Sequence, residues 1–140
     1  MAEKLILSDD EWRRRLTPEQ YEVLRGHGTE APFSGCFLGT KEAGTYVCAG
    51  CGNPLFRSGE KFESATGWPS FTEPVGPEAV VTYEDRSYGM RRTEVRCARC
   101  DGHLGHVFPD GPAPRGTRYC MNSVALRHVP EDRSSQPAPP

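Results

Sequence analysis

Cys48 and Cys51 stand three residues apart, as do Cys97 and Cys100, and a glycine follows each pair closely (Gly52, Gly102). Two cysteines at this spacing bring both sulfurs to one ion if the chain turns tightly between them, and a nearby glycine permits the turn. Two such knuckles make a tetrahedral four-sulfur site, which suits Zn²⁺ and leaves no position for water, so the expected metal is structural. An iron centre with the same four ligands fits the spacing as well. A thioredoxin-like redox pair is the rival reading, but neither pair sits at a recognisable strand-to-helix turn. The pairs lie farther apart than in the commonest zinc ribbon, so the site is expected to join two distant hairpins.

Two of the six cysteines remain, Cys36 and Cys120. Cys120 lies in Arg118-Tyr119-Cys120-Met121-Asn122-Ser123. In a strand, residues two apart share a face, so Arg118, Cys120 and Asn122 line one side. A cation beside a thiol favours the reactive thiolate, and an amide there can donate to an oxyanion. A buried strand cysteine acting as a small hydrophobe is the alternative. Two residues after the second knuckle comes Gly102-His103-Leu104-Gly105-His106-Val107-Phe108-Pro109-Asp110. Its histidines among glycines suggest imidazoles presented on a bent chain for proton transfer, or else ordinary surface histidines. Thr66-Gly67-Trp68-Pro69-Ser70-Phe71 sets a tryptophan between Gly and Pro, either as an apolar wall for a small ligand or as a core residue. His27 and His128 have no such context.

These groups must be positioned by a chain of 140 residues, enough for one domain with one core. With 36% hydrophobic residues, 15 Gly and 13 Pro, a loop-rich, mainly β domain is expected. Ser8-Asp9-Asp10-Glu11 and Thr17-Pro18-Glu19-Gln20 read as capping boxes of two short N-terminal helices within about 8–26, the second with Pro18 in its first turn and Gly26 as its stop. Tyr21 and Leu24 would share the buried side of that helix. Strands are expected over 45–48, 80–86, 90–97 and 118–129, the middle two joined by a turn at Ser87-Tyr88-Gly89. The polar, Pro-rich tail over 130–140 reads as disordered, leaving 1–129 as the single domain. The net charge of −2 gives no basic footprint for nucleic acid. No stretch approaches the ~20 apolar residues of a membrane span, and the first residues do not read as a signal peptide. A reducing, cytoplasmic setting is therefore expected, in which the cysteines serve metal and catalysis rather than disulfides.

Taken together these residues resemble the B-type methionine sulfoxide reductases, which act on the R-sulfoxide. The similar pieces are Pro32-Phe33-Ser34-Gly35, Gly44-Thr45-Tyr46-Val47-Cys48-Ala49-Gly50-Cys51, Gly67-Trp68-Pro69-Ser70-Phe71, Gly102-His103-Leu104-Gly105-His106-Val107-Phe108 and Arg118-Tyr119-Cys120-Met121-Asn122-Ser123, in the family's order. The resemblance implies two small antiparallel sheets in an open barrel-like or tent-like fold, one structural zinc per chain, no organic cofactor, and a monomer. It implies Cys120 as the attacking thiolate, Trp68 as the platform for the substrate's S-methyl group, and Phe108 nearby. His103, His106 and Asn122 would bind or protonate the sulfoxide oxygen, directly or through water. Asp110 and Arg118 would tune the thiol and the histidines from behind. The implied substrate is methionine-R-sulfoxide in oxidised proteins, and the implied reductant is thioredoxin.

Such an enzyme needs a second thiol to condense with the sulfenic acid left on Cys120. Many relatives carry it two residues before the tryptophan, where this chain has Thr66. Cys36 is the cysteine left to replace it. The run Gly35-Cys36-Phe37-Leu38-Gly39 resembles the active-site motif of the unrelated A-type reductases only superficially, since its tryptophan is missing. A zinc-knuckle binding module without catalysis is the competing class, and it has no need of a free nucleophile.

Overall fold

The computed structural model describes residues 5–30, 35, 37, 43–62, 66–86, 89, 91–112 and 116–130. Cys36, turn residues 87 and 88, motif residues 32–34 and tail residues 131–140 lie outside them. Among the described residues, helices α1 (Asp9–Arg15) and α2 (Pro18–Leu24) precede nine strands: β1 (Gly44–Cys48), β2 (Pro54–Arg57), β3 (Lys61–Phe62), β4 (Ser70–Phe71), β5 (Val80–Asp85), β6 (Arg92–Cys97), β7 (His103–Phe108), β8 (Arg118–Met121) and β9 (Leu126–Pro130). They form two antiparallel sheets, ordered β2-β1-β9 and β3-β4-β8-β7-β6-β5. The expected fold class is found, and the larger sheet stays open between its edges β3 and β5.

The helices start where their caps predict. Ser8 Oγ accepts from the Glu11 amide (3.2 Å). The Glu11 carboxylate turns to Arg14 (2.9 Å), so this first box is only half made. The second is complete: Thr17 Oγ1 accepts from the Gln20 amide (3.1 Å), and Gln20 Oε1 accepts from the Thr17 amide (3.0 Å). Leu24 and Val23 are buried, and Tyr21 packs half-buried against the same core, with its hydroxyl on Asp9. The apolar faces of both sheets close on Tyr46, Leu55, Phe56, Phe71, Val95, Leu104 and Met121. Phe56 stacks on Phe71 at 4.5 Å, and Tyr46 meets Phe71 edge-on at 5.1 Å.

Two expectations change. The run 118–129 is not one strand: a 3₁₀ turn at Ser123–Ala125 breaks it, sending β8 into the large sheet and β9 into the small one. The histidine segment is not a bent loop but β7. Its pairing with β6 slips by one residue, so Val95 faces Gly105 while Arg96 faces His103, and the extra residue is Leu104. Such a bulge shifts the alternation of faces. It lets Leu104 enter the core while His103 and His106 share the opposite face, their rings 5.4 Å apart.

Candidate active site

Hairpin register assembles the site. Across the large sheet, Ser70 of β4 pairs with Cys120 of β8, Cys120 with His106 of β7, and His106 with Glu94 of β6. Directly paired residues project to the same face, so these four side chains form one row. Gly105 is what lets β7 and β8 lie this close, since a Cβ there would run into the Cys120 carbonyl oxygen.

The row lies beside a cavity of about 370 Å³, lined by Trp68, His106, Phe108, Arg118, Cys120 and Asn122 together with Thr29, Thr66, Arg92 and Gly105. Cys120 is buried. Arg118 Nη1 donates to its sulfur at 2.8 Å, and the hydroxyls of Ser70 (3.4 Å) and Thr66 (3.6 Å) lie within hydrogen-bond reach of it. A cation and two hydroxyls thus surround one sulfur. Asp110 holds Arg118 in a bidentate pair (2.7 and 3.0 Å), and the guanidinium beside it holds the Asp110 carboxyl below the usual carboxylate range. The same guanidinium packs over the Phe108 ring at 4.4 Å.

His106 Nε2 meets Asp85 Oδ2 at 2.8 Å, and that carboxylate also accepts from Arg92 (3.3 Å). With Nε2 held by Asp85, Nδ1 is the ring nitrogen left for a ligand, an acceptor in neutral imidazole and a donor in imidazolium. His103 lies behind, outside the cavity lining, with Nδ1 2.7 Å from Glu94 Oε2. Burial pushes the His103 pKa down, so its ring is neutral near neutral pH. Glu94 is held below the usual range; burial opposes this, but hydrogen bonds from Arg96 and His103 outweigh it. Asn122 donates Nδ2–H to the Leu104 carbonyl (3.0 Å) and accepts from the Glu30 amide (2.9 Å). Its amide has a second N–H to offer a ligand. Trp68 Nε1 donates to the Glu30 carbonyl (3.0 Å), so one residue anchors both walls of the cavity.

Of the residues the sequence singles out, Trp68, His106, Phe108, Arg118, Cys120 and Asn122 come together at the cavity, while Asp110 and His103 stand one contact away. Sequence reasoning misses Ser70, Glu94, Asp85, Arg92 and Glu30. Ser70 and Glu94 follow from the register once the strands are paired, while Glu30 has no local signal.

The four paired cysteines meet elsewhere. Their sulfurs lie within 4.8 Å of one another, with Cys48–Cys100 at 3.7 Å and Cys51–Cys97 at 3.5 Å. Zinc–sulfur bonds of ~2.3 Å put tetrahedral sulfurs about 3.8 Å apart, so the donor set fits. These contacts run between the knuckles, which makes one cluster rather than two redox pairs. Crowding splits the thiols: hydrogen bonds from its neighbours, Cys100 foremost, hold Cys97 as thiolate, while the same cluster pushes Cys48 up. A divalent cation would accommodate all four as thiolates. In the first knuckle Gly52 takes the positive φ (81°). In the second it is Asp101 (64°), not Gly102, whose lack of a side chain instead admits Leu24 and the Cys100 sulfur. The knuckles are the turns between β1 and β2 and between β6 and β7, so the cluster ties one sheet to the other.

Residues 16–130 match the SelR domain. Over 130 residues the chain is 63% identical to the peptide methionine sulfoxide reductase MsrB of Leifsonia xyli subsp. xyli, covering 92% of this chain and 94% of the relative. The protein of the same name from Bradyrhizobium diazoefficiens is 59% identical over 129 residues (92% and 93%), and that from Methanosarcina barkeri 56% over 137 residues (97% and 96%).

Proposed function

The chain belongs to the SelR family of B-type methionine sulfoxide reductases, and from that membership we propose that it reduces methionine-R-sulfoxide in oxidised proteins to methionine, with Cys120 as nucleophile. The observation that carries this reading is the buried Cys120 sulfur at a cavity wall, 2.8 Å from the Arg118 guanidinium.

The half-buried Trp68 ring and Phe108 offer the S-methyl group an apolar wall, and the Asn122 amide and the imidazolium form of His106 present hydrogen-bond donors for the sulfoxide oxygen. Donation to that oxygen draws electrons from sulfur and makes it an electrophile. The Cys120 thiolate attacks it, a proton goes to the oxygen, and oxygen passes to Cys120 as sulfenic acid while methionine leaves with the electron pair. His106, oriented by Asp85, is placed to supply the proton; His103 and Glu94 steady it from behind. A second thiol then displaces water from the sulfenic acid to form a disulfide, which thioredoxin reduces by dithiol exchange. Cys36 takes that part by its sequence position, with Thr66 where the usual thiol stands.

The metal is zinc, supported by the all-sulfur donors and their spacing. It supplies a cross-link, and none of the four cysteines lines the cavity. We read 1–129 as one reductase domain acting as a monomer in the cytoplasm, where reduced thiols persist. Among the described residues no helix is long and apolar enough to cross a membrane.

The test is turnover on each sulfoxide epimer. With the methyl fixed by Trp68 and the oxygen by His106 and Asn122, only one epimer presents its sulfur in line to Cys120. The R epimer should be reduced, and Cys120→Ser should abolish the reaction. Equal turnover of both epimers, or an active Cys120→Ser, would reject the reading.

A further inference from the structure

Behind His106, on the side of the sheet's row away from Cys120, a second set of metal-ligating side chains converges. We propose that His27, Glu94 and His103 form a second cation site, for a divalent transition metal, separate from the four-cysteine cluster. One ligand atom from each residue lies within 4.8 Å of the other two. Glu94 Oε2 is shared: His103 Nδ1 is 2.7 Å from it and His27 Nδ1 3.5 Å. Bonds of ~2.0–2.2 Å from zinc to nitrogen and oxygen put neighbouring donors about 2.9 Å apart in an octahedron and about 3.4 Å apart in a tetrahedron, values the two observed separations bracket.

The surroundings hold these donors in place. Arg96 Nη2 donates to the other Glu94 oxygen (3.0 Å) and fixes the carboxylate. The two imidazoles stack with centroids 5.4 Å apart and planes 10° from parallel, which aligns their edges on Glu94. His103 is 2% exposed, and its Nε2 has no hydrogen-bond partner among the described residues, so the nitrogen in the cluster is the one that anchors the ring. His27 is exposed and sits in the left-handed region (φ 59°), at the edge of a cleft of about 680 Å³ that also reaches Asp85, Glu94 and His103. That cleft gives an ion a route from solvent. Two imidazoles with one carboxylate suit zinc, iron(II), nickel or copper rather than magnesium or calcium, and three protein ligands leave positions for water. A bound ion would replace the hydrogen bond between His103 and Glu94.

The test is zinc stoichiometry of the full chain with its four-cysteine site loaded, after equilibrium dialysis against excess Zn²⁺. The unmodified protein and Cys120→Ser should each bind two zinc ions per chain. His27→Asn, which keeps a residue tolerant of positive φ, should bind one, and retention of that ion together with an unchanged thermal midpoint reports an intact fold. One ion in the unmodified protein would overturn the proposal. So would a second ion that survives in His27→Asn, or one that disappears in Cys120→Ser and so belongs to the catalytic thiol.

Discussion

Removal of the metal from the four-cysteine cluster should unfasten the two sheets. The cluster joins residues 46 apart, as from Cys51 to Cys97. If metal ligation is treated as a cross-link, closing a loop of that length removes about 13 cal/mol/K from the unfolded chain, or about 4 kcal/mol at 25 °C. Metal–ligand bonding adds to this, since structural zinc can contribute on the order of 10 kcal/mol to a small domain. A typical domain has only about 5–15 kcal/mol of stability. At this chain length each kcal/mol moves the melting temperature by roughly 3–4 °C. Stripping the ion with a chelator under reducing conditions should therefore lower the midpoint by at least about 12 °C, and zinc added back should restore it. Cys51→Ser should behave like the stripped protein without being rescued. Thermal melting by circular dichroism, with metal content measured on the same samples, checks this. A stripped protein melting within about 3 °C of the loaded one, less than one kcal/mol on that scale, would refute the cross-link.

Stability should fall as pH drops below about 6.5: burial depresses the folded His103 pKa, so the unfolded chain binds its proton first, and stability present above the unfolded value is lost on acidification. Urea midpoints across pH should show this slope, weakened in His103→Asn. Trp68→Ala should raise KM and loosen the preference between epimers, because the wall for the methyl group is gone, as steady-state kinetics on both epimers will show. Asn122→Ala should lower kcat and also cost about 1–3 kcal/mol of stability, because the Leu104 carbonyl and the Glu30 amide lose their partner; kinetics beside a urea melt separate the two effects. Cys36→Ser should release one methionine per enzyme and then fail to cycle with thioredoxin, and unimpaired thioredoxin-driven turnover would exclude Cys36 as the second thiol.

The residues that carry local chemistry were legible in the sequence. Two knuckles with glycines implied one four-sulfur site, and alternation alone put Arg118 on the same face as Cys120, where it is found. What lay hidden was everything set by pairing between strands. Glu94 and Asp85 are unremarkable acids until the β5–β6–β7 register places them against His103 and His106. The β7 strand itself was obscured because Gly105 lowers strand propensity, yet that glycine is required by the close approach of β8. The break between β8 and β9 follows from packing against two different sheets, and no Gly or Pro marks it.

The order of strands also fixes a timetable. β1 pairs with β9, the last strand among the described residues, and β8, which carries Cys120, is inserted between β4 and β7. On a ribosome, the hairpins β1–β2 and β5–β6–β7 can close as they emerge, and the second knuckle completes the metal ligands while β8 is still unmade. The small sheet keeps an open edge at β1 until β9 arrives, and the large one an open edge at β7 until β8 arrives. Cys120, the proposed nucleophile, is thus synthesised after both knuckles, and it enters a scaffold whose cross-link can already be in place. A nascent chain arrested before residue 118 should bind zinc and yet have no active centre.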